Sequence, residues 1–138
     1  MIIDKQNSLS EEQAVTAAAA STNYIDLGAA RDLGLSQMDM AITVTEAVTA
    51  AGAATVTFQL QCDDNSSFSS AKTVIQTDAI PKATMVAGYQ FFLNIPVGLD
   101  ERYVRLYYNV ATGPLTAGKF SAAIVHGIQK NKAYPDAI

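Results

Sequence analysis

Nucleophilic catalysis by a serine or cysteine needs a base within hydrogen-bond reach, and histidine is the usual one. The chain has a single histidine, His126. It falls at the end of a β-branched stretch and is followed by Gly127. No G-x-S-x-G elbow precedes it, so it reads as a structural or surface histidine rather than a catalytic base. The single cysteine, Cys62, lies on the apolar side of an alternating run, where a free thiol packs as a small hydrophobe. One cysteine cannot close an intrachain disulfide, and with one histidine it cannot supply the four ligands of a structural zinc.

Carboxylates offer the other route to chemistry. Asp63-Asp64-Asn65-Ser66-Ser67 crowds hard oxygen donors together as calcium requires, but it lacks the D-x-[DN]-x-[DN]-G spacing and the distant glutamate of an EF-hand. Such clusters bend chains by bonding their own backbone, and a solvated turn is expected here. Glu11-Glu12 and Asp100-Glu101 are adjacent pairs that a strand would send to opposite sides, so neither forms a glycosidase pair unaided. They read as solvated charges. Gly28-Ala29-Ala30-Arg31-Asp32-Leu33-Gly34 has two glycines without the G-x-G-x-x-G spacing or a following helix. A tight loop with a local Arg31–Asp32 contact is expected instead. The residue types therefore point to no catalytic, cofactor-binding or metal site, and to no cofactor.

What remains is recognition. Tyr103, Arg105 and Tyr107 alternate onto one face, a mixture enriched at protein interfaces because such side chains combine area with a polar end. Alternation alone leaves open whether that face is exposed or is covered by a neighbouring sheet or loop.

The elements that carry these residues are strands. Apolar and polar side chains alternate from Met40 to Val48, from Thr55 to Cys62 and from Arg102 to Val110, the mark of strands with one buried face. The small residues of Thr49-Ala50-Ala51-Gly52-Ala53-Ala54 suggest that the first two form a β-hairpin. Further strands are expected at Lys72–Thr77, Tyr89–Ile95, Lys119–Ile128, Asn23–Leu27 and the extreme N-terminus. Ser10–Ala20 has a capping-box pair in Ser10 and Gln13 and an alanine run, but too little apolar surface for a helix to bury, so an extended conformation is favoured. About eight short strands separated by turns predict an all-β, jelly-roll-like antiparallel β-sandwich forming a single domain over residues 1–128. Residues 129–138 turn polar, with Lys130 and Lys132, and are expected to form an arm or tail.

Composition narrows the partners. The 138 residues carry 9 Lys and Arg against 13 Asp and Glu, with the basic residues scattered. A net charge of −4 without a basic patch argues against nucleic acid and anionic membranes as partners. No apolar run reaches the roughly 18 residues of a membrane span, and Met1-Ile2-Ile3-Asp4-Lys5 is not a secretory signal, so synthesis in the cytoplasm is expected.

Ile25-Asp26-Leu27-Gly28, Arg31-Asp32-Leu33-Gly34, the stretch from Gly52 to Gln61, the strand from Arg102 to Val110 and the stretch from Ala111 to Gly118 form an ordered series along the chain. Together with the opening Met1-Ile2-Ile3-Asp4, this series resembles the capsid cement proteins of tailed bacteriophages of the Bordetella-phage type. The resemblance implies a jelly-roll decoration protein on the capsid exterior of the virion, in contact with the major capsid protein, self-associating as a dimer or trimer and bridging neighbouring subunits. It carries no catalytic residues. The tail after Val125 looks longer and more basic than the resemblance suggests. Candidate interface residues are Met1, Ile2, Ile3, Arg31, Asp32, Tyr103, Arg105, Tyr107, Lys130, Lys132 and Tyr134. A jelly-roll carbohydrate- or receptor-binding module of a phage tail is the alternative, weakened by the absence of tryptophan. A cupin-like enzyme would need clustered histidines for its metal.

Overall fold

The computed structural model describes residues 2–127. Ten strands run in chain order: β1 (Ser8–Ala14), β2 (Ala19–Ala20), β3 (Ile25–Asp26), β4 (Asp39–Thr49), β5 (Thr55–Asp63), β6 (Lys72–Gln76), β7 (Ile80–Pro81), β8 (Gln90–Asn94), β9 (Tyr103–Ala111) and β10 (Ala117–Val125). One sheet has the order β1-β10-β4-β8. The other has β2-β9-β5-β6, with β3 also paired to β9 and β7 to β5. Every pairing is antiparallel.

β2 and β3 pair in turn along β9, and β6 and β7 along β5, so each couple is one edge strand with a break. Counted that way there are eight strand positions, as the turn spacing predicts. Their pairing is nested: first with last (β1 with β10), second with seventh (β2/β3 with β9), third with sixth (β4 with β8), fourth with fifth (β5 with β6/β7). A long hairpin wound on itself gives that nesting, and the two extra seams, β10 with β4 and β9 with β5, close it into a jelly roll.

Alternation explains the core. Met40, Ile42 and Val44 from one sheet and Val56, Phe58, Leu60, Cys62, Val104, Leu106 and Tyr108 from the other are all buried in one cluster. Phe58 sits at its centre, meeting Phe91, Tyr108 and Phe120 edge-on at centroid distances of 4.8, 5.6 and 5.3 Å. That geometry sets ring edges against ring faces. A second tie crosses the sandwich. The Tyr108 hydroxyl donates to Ser10 Oγ at 2.8 Å, and Ser10 Oγ donates to Gln13 Oε1 at 2.7 Å.

Two expectations need correction. The strands Met40–Val48 and Thr55–Cys62 do not form a hairpin: β4 pairs with β8 and β10, and β5 with β6, β7 and β9, so residues 50–54 cross from one sheet to the other. Both apolar faces then look into the same interior, which a two-strand pattern cannot distinguish from a hairpin. The extreme N-terminus is not a strand either. Lys5–Asn7 form a 3-10 turn whose first amides are capped by Asp4, which accepts from Gln6 N, and the strand starts only at Ser8. Ser10–Ala20 is extended, as favoured, in β1 and β2 with a connection between them. Ser10 and Gln13 do meet, but across a bulge in β1 where Glu12 takes a positive φ of 47°, not in a helix turn.

Candidate functional site

In a nested jelly roll the termini and alternate connections share one end of the sandwich. Here that end collects residues 2–7, the connections 27–38, 64–71 and 95–102, and residues 126–127 after β10. Of the large apolar side chains left exposed, Ile2 (86%), Ile3 (50%), Leu35 (78%) and Val97 (67%) all stand there. Tyr24 (49%) lies just before β3 on the adjoining edge, and among the described residues only Val86 belongs to the opposite end. Single exposed apolar residues need no explanation, but Leu35 and Val97 stand on two connections that touch each other, and such neighbours mark a contact surface.

The 27–38 and 95–102 connections are locked together. Asp32 accepts from the amide of Gly34 through one carboxylate oxygen (2.9 Å) and from the amide of Gly98 through the other (2.9 Å). Gly34 packs so tightly that a Cβ there would lie 2.1 Å from the Pro96 carbonyl oxygen. Leu35 and Val97 are thus presented on fixed, mutually braced loops. This corrects the expected Arg31–Asp32 contact: Asp32 spends its carboxylate on backbone amides, and Arg31 is exposed. The local ion pair is formed by Arg102 and Asp26, two-pronged at 2.6 and 2.8 Å. The guanidinium, helped by the Gly28 amide, holds the Asp26 carboxyl at about 2.

The tyrosine face of β9 runs up to the same end and is both partly covered and partly open. Tyr103, Arg105 and Tyr107 are half-buried. Arg105 lies over the Phe68 ring at 4.3 Å and the Tyr107 ring at 5.5 Å, and its Nε donates to Gln61 Oε1. Tyr24 meets Phe68 and Tyr103 edge-on at 6.0 and 5.8 Å, and Arg102 stacks on Tyr103 at 5.0 Å. The face is therefore an interlocked aromatic and guanidinium layer, with Tyr24 as its exposed ring and Arg102 as its exposed guanidinium.

Phe68 reaches this layer because Asp63 folds the 64–71 loop. Its carboxylate accepts from the amides of Asp64 (2.7 Å), Asn65 (3.3 Å) and Ser70 (2.8 Å) and from the Ser70 hydroxyl. Burial pushes the Asp63 carboxyl upward, but the hydrogen bonds it accepts outweigh that and hold it at about 2. Phe68 itself takes a positive φ of 51°, which a bulky residue adopts only when its surroundings compel it. The loop is a turn, as expected, but Asp63 is 2% exposed rather than solvated, and its oxygens already hold protein donors.

Cys62 is buried in the core, where desolvation pushes its thiol up. His126 is exposed just past β10. Glu11 pairs with Lys5, and Asp100 and Glu101 with Lys72, at the surface. Among the described residues no group of three or more His, Cys, Asp or Glu is placed to hold a metal ion, and no helix is long and apolar enough to cross a membrane. Of the candidate interface residues, Ile2, Ile3, Arg31, Asp32 and Tyr103 stand at the shared end, with Arg105 and Tyr107 further along β9. Met1, Lys130, Lys132 and Tyr134 lie outside the described residues. Sequence reasoning missed Tyr24, Leu35, Phe68 and Val97. Three of these are apolar residues set among turn formers, which is the signal that was available.

A sequence model of the Bbp16 family matches residues 9–124, from β1 nearly to the end of β10. The chain belongs to the Bbp16 family. The match covers the sandwich almost entirely, and the family is one of Bordetella phage proteins. A search of curated proteins finds no match.

Proposed function

We propose that this Bbp16-family protein is a capsid decoration, or cement, protein. It binds the outer surface of the shell built by the major capsid protein, bridges neighbouring subunits there, and self-associates on the lattice as a dimer or trimer. The observation that supports this reading best is the shared end of the jelly roll. There Leu35 and Val97 project from connections braced by Asp32, at the same end as the exposed Ile2 and Ile3 and the start of the aromatic and guanidinium layer of β9. The surface has the composition of a protein interface, with apolar anchors inside a polar and aromatic rim.

A decoration protein has to be rigid and to spread adhesion over many copies. The two loops tied by Asp32 and the loop folded by Asp63 give the first. The second follows from lattice attachment, since contacts of about 1,600 Å² or less per copy become tenacious when several are made at once. The protein on this reading sits on the exterior of the virion.

Co-sedimentation with empty and with expanded phage shells tests it. Binding should saturate at a fixed copy number per capsid subunit, and Leu35→Asp with Val97→Asp should abolish saturation while leaving the fold unchanged by circular dichroism. No retention on either shell would refute the reading. Undiminished binding of the double variant would move the contact away from this end.

A further inference from the structure

Two arginines belong to the aromatic layer, and only one of them has an anion. Arg102 lies over the Tyr103 ring and sets Nε and Nη2 on the two oxygens of Asp26. Arg105, half-buried in β9, lies over the rings of Phe68 and Tyr107, and its Nε donates to the neutral amide oxygen of Gln61 at 2.9 Å. Gln61 is fixed in turn. Its Nε2 donates to Gln59 Oε1 at 3.2 Å and Gln59 Nε2 to Gln76 Oε1 at 3.0 Å, a line of amides running across β5 to the edge strand β6. Among the described residues neither Nη of Arg105 has a hydrogen-bond partner, and no carboxylate stands within ion-pair distance of it. These nitrogens are not sealed in, since Thr45 Oγ1 is, among the same residues, the one side-chain nitrogen or oxygen that is both buried and unpartnered. Asp63 acts on Arg105 through its charge, but its own oxygens hold the amides of Asp64, Asn65 and Ser70.

We infer that Arg105 is the receptor for a carboxylate, an aspartate or glutamate side chain of the protein surface on which this chain docks. The inference rests on the decoration reading and names one contact within it. A guanidinium holds its N–H donors in a rigid planar fork, and with Nε bonded to Gln61 those on the two Nη atoms remain. Their geometry matches the paired oxygens of a carboxylate. The rings do not compete for them, because an aromatic face attracts the cation as a whole while an oxyanion takes the N–H edge. Charge asks for the same partner. Desolvation pulls the pKa of Arg105 down, against the opposite pull of Tyr107 and Asp63, and the guanidinium nevertheless stays charged. A docking carboxylate restores to this half-buried cation the interaction that it lost with water. The other cations have less need of one. Lys5, Lys72, Arg102 and Lys119 already face carboxylates, Lys82 bonds the Ala50 carbonyl, and Arg31 stands exposed. A phosphate backbone fits less well, since one fork beside Asp63 on a chain of net charge −4 offers no track for a polyanion. Pinned at Nε and stacked on two rings, Arg105 also has little freedom left to lose on docking, as suits the anchor of an interface.

Titration of the isotope-labelled full chain with sodium acetate at constant ionic strength, set against sodium chloride and followed by NMR, tests the receptor. The Arg105 Nε–H signal, identified by its loss in Arg105→Lys, should shift and saturate with acetate and not with chloride. No saturable shift would overturn the inference whether or not the chain binds shells. A short single-stranded DNA that moves this signal at lower concentration than acetate would overturn it in favour of a phosphate partner. Co-sedimentation with expanded shells then tests the docking contact. Arg105→Lys keeps the charge but not the fork and should attach at least about tenfold more weakly than the wild type. Gln61→Glu leaves Arg105 and its stack in place and supplies a carboxylate from within, so it too should weaken attachment, with no loss of melting temperature. Wild-type attachment of Arg105→Lys would overturn the inference, because a point charge would then suffice. A loss in Arg105→Lys that Gln61→Glu does not share would also overturn it, by leaving Arg105 a structural role alone. A wild type that shifts with acetate yet is retained on no shell would support the receptor and refute the decoration reading.

Discussion

Removing the Ser10 hydroxyl is the sharpest test of how the two sheets are held in register. Ser10 belongs to β1 and Tyr108 to β9, so their hydrogen bond joins opposite sheets, and both residues are almost fully buried (1% and 0%). Ser10→Ala strands the Tyr108 hydroxyl in the interior with no acceptor. The loss is then that of an unsatisfied buried donor, about 2 kcal/mol, rather than the ~1 kcal/mol of an ordinary hydrogen bond. Gln13 is not stranded, because its Oε1 still accepts from the Thr22 amide and its Nε2 still donates to the Ala20 carbonyl. Tyr108→Phe removes the donor and leaves Ser10 bonded to Gln13, so it should cost only about 1 kcal/mol. The double variant leaves no phenol stranded and should cost about 2 kcal/mol instead of the sum of the two, a coupling of about 1 kcal/mol. Urea unfolding measures all four proteins. In thermal melts a chain of this length shifts Tm by about 3–5 °C per kcal/mol, so Ser10→Ala should melt about 6–10 °C low. Additive costs, or a Tyr108→Phe loss equal to that of Ser10→Ala, would refute the claim that this pair is a buried, mutually dependent tie.

Three further outcomes follow from the geometry. Gly34→Ala should destabilise by about 1–3 kcal/mol, because its Cβ would press on the Pro96 carbonyl and force the two braced loops apart; wild-type stability in urea would show that they are not in contact. In acid, Asp63 titrates at about 2 when folded against 3.8 when free, so its stabilisation is complete above pH ~4 and fades as pH falls towards 2. Asp63→Ala should flatten that part of the stability profile and loosen the 64–71 loop to proteolysis, and an unchanged acid limb would count against the loop's dependence on it. In base, burial pushes the Tyr108 phenol far above its ordinary 10, so the folded state binds this proton more tightly than the unfolded one and stability falls as pH rises past about 10. Tyr108→Phe should lessen that fall, measured by unfolding at pH 9 and pH 11.

Much of the sandwich was legible because alternation is local. The runs ending at Val48, Cys62 and Val110 each correspond to a strand whose inner residues are those the pattern marks. What alternation could not say is which strands pair, because a hairpin and a crossing between sheets place the same residues inside. Residues 50–54 were therefore misassigned. The site was less legible for a related reason. Tyr103, Arg105 and Tyr107 announced themselves by spacing, whereas Phe68 joins them only through a loop bent by a distant carboxylate, and Leu35 and Val97 become neighbours only when Asp32 bridges two connections. The capping-box spacing of Ser10 and Gln13 marked a real contact and suggested the wrong backbone, since a bulged strand brings the two together as well as a helix does.

The winding of the chain gives a reason why the open apolar residues collect where they do. When eight strand positions pair first with last and inward from there, the start of the first strand, the end of the last and every second connection must fall at one end. The remaining connections fall at the other. Here the first end has connections spanning residues 27–38, 64–71 and 95–102, and the opposite end has those at 15–18, 50–54, 82–89 and 112–116. The longest of all, 27–38, exceeds the usual length of such links and is held by Asp32 rather than left loose. Long connections braced by side chains are costly unless they hold a surface in shape, and the surface they hold includes Leu35 and Val97. If that end meets a shell, variants confined to the short connections, such as Gly52→Ser or Gly113→Asn, should bind as the wild type does, while Leu35→Asp alone should weaken attachment by more than tenfold. Equal losses from both groups would mean that the winding, however regular, does not decide which end is used.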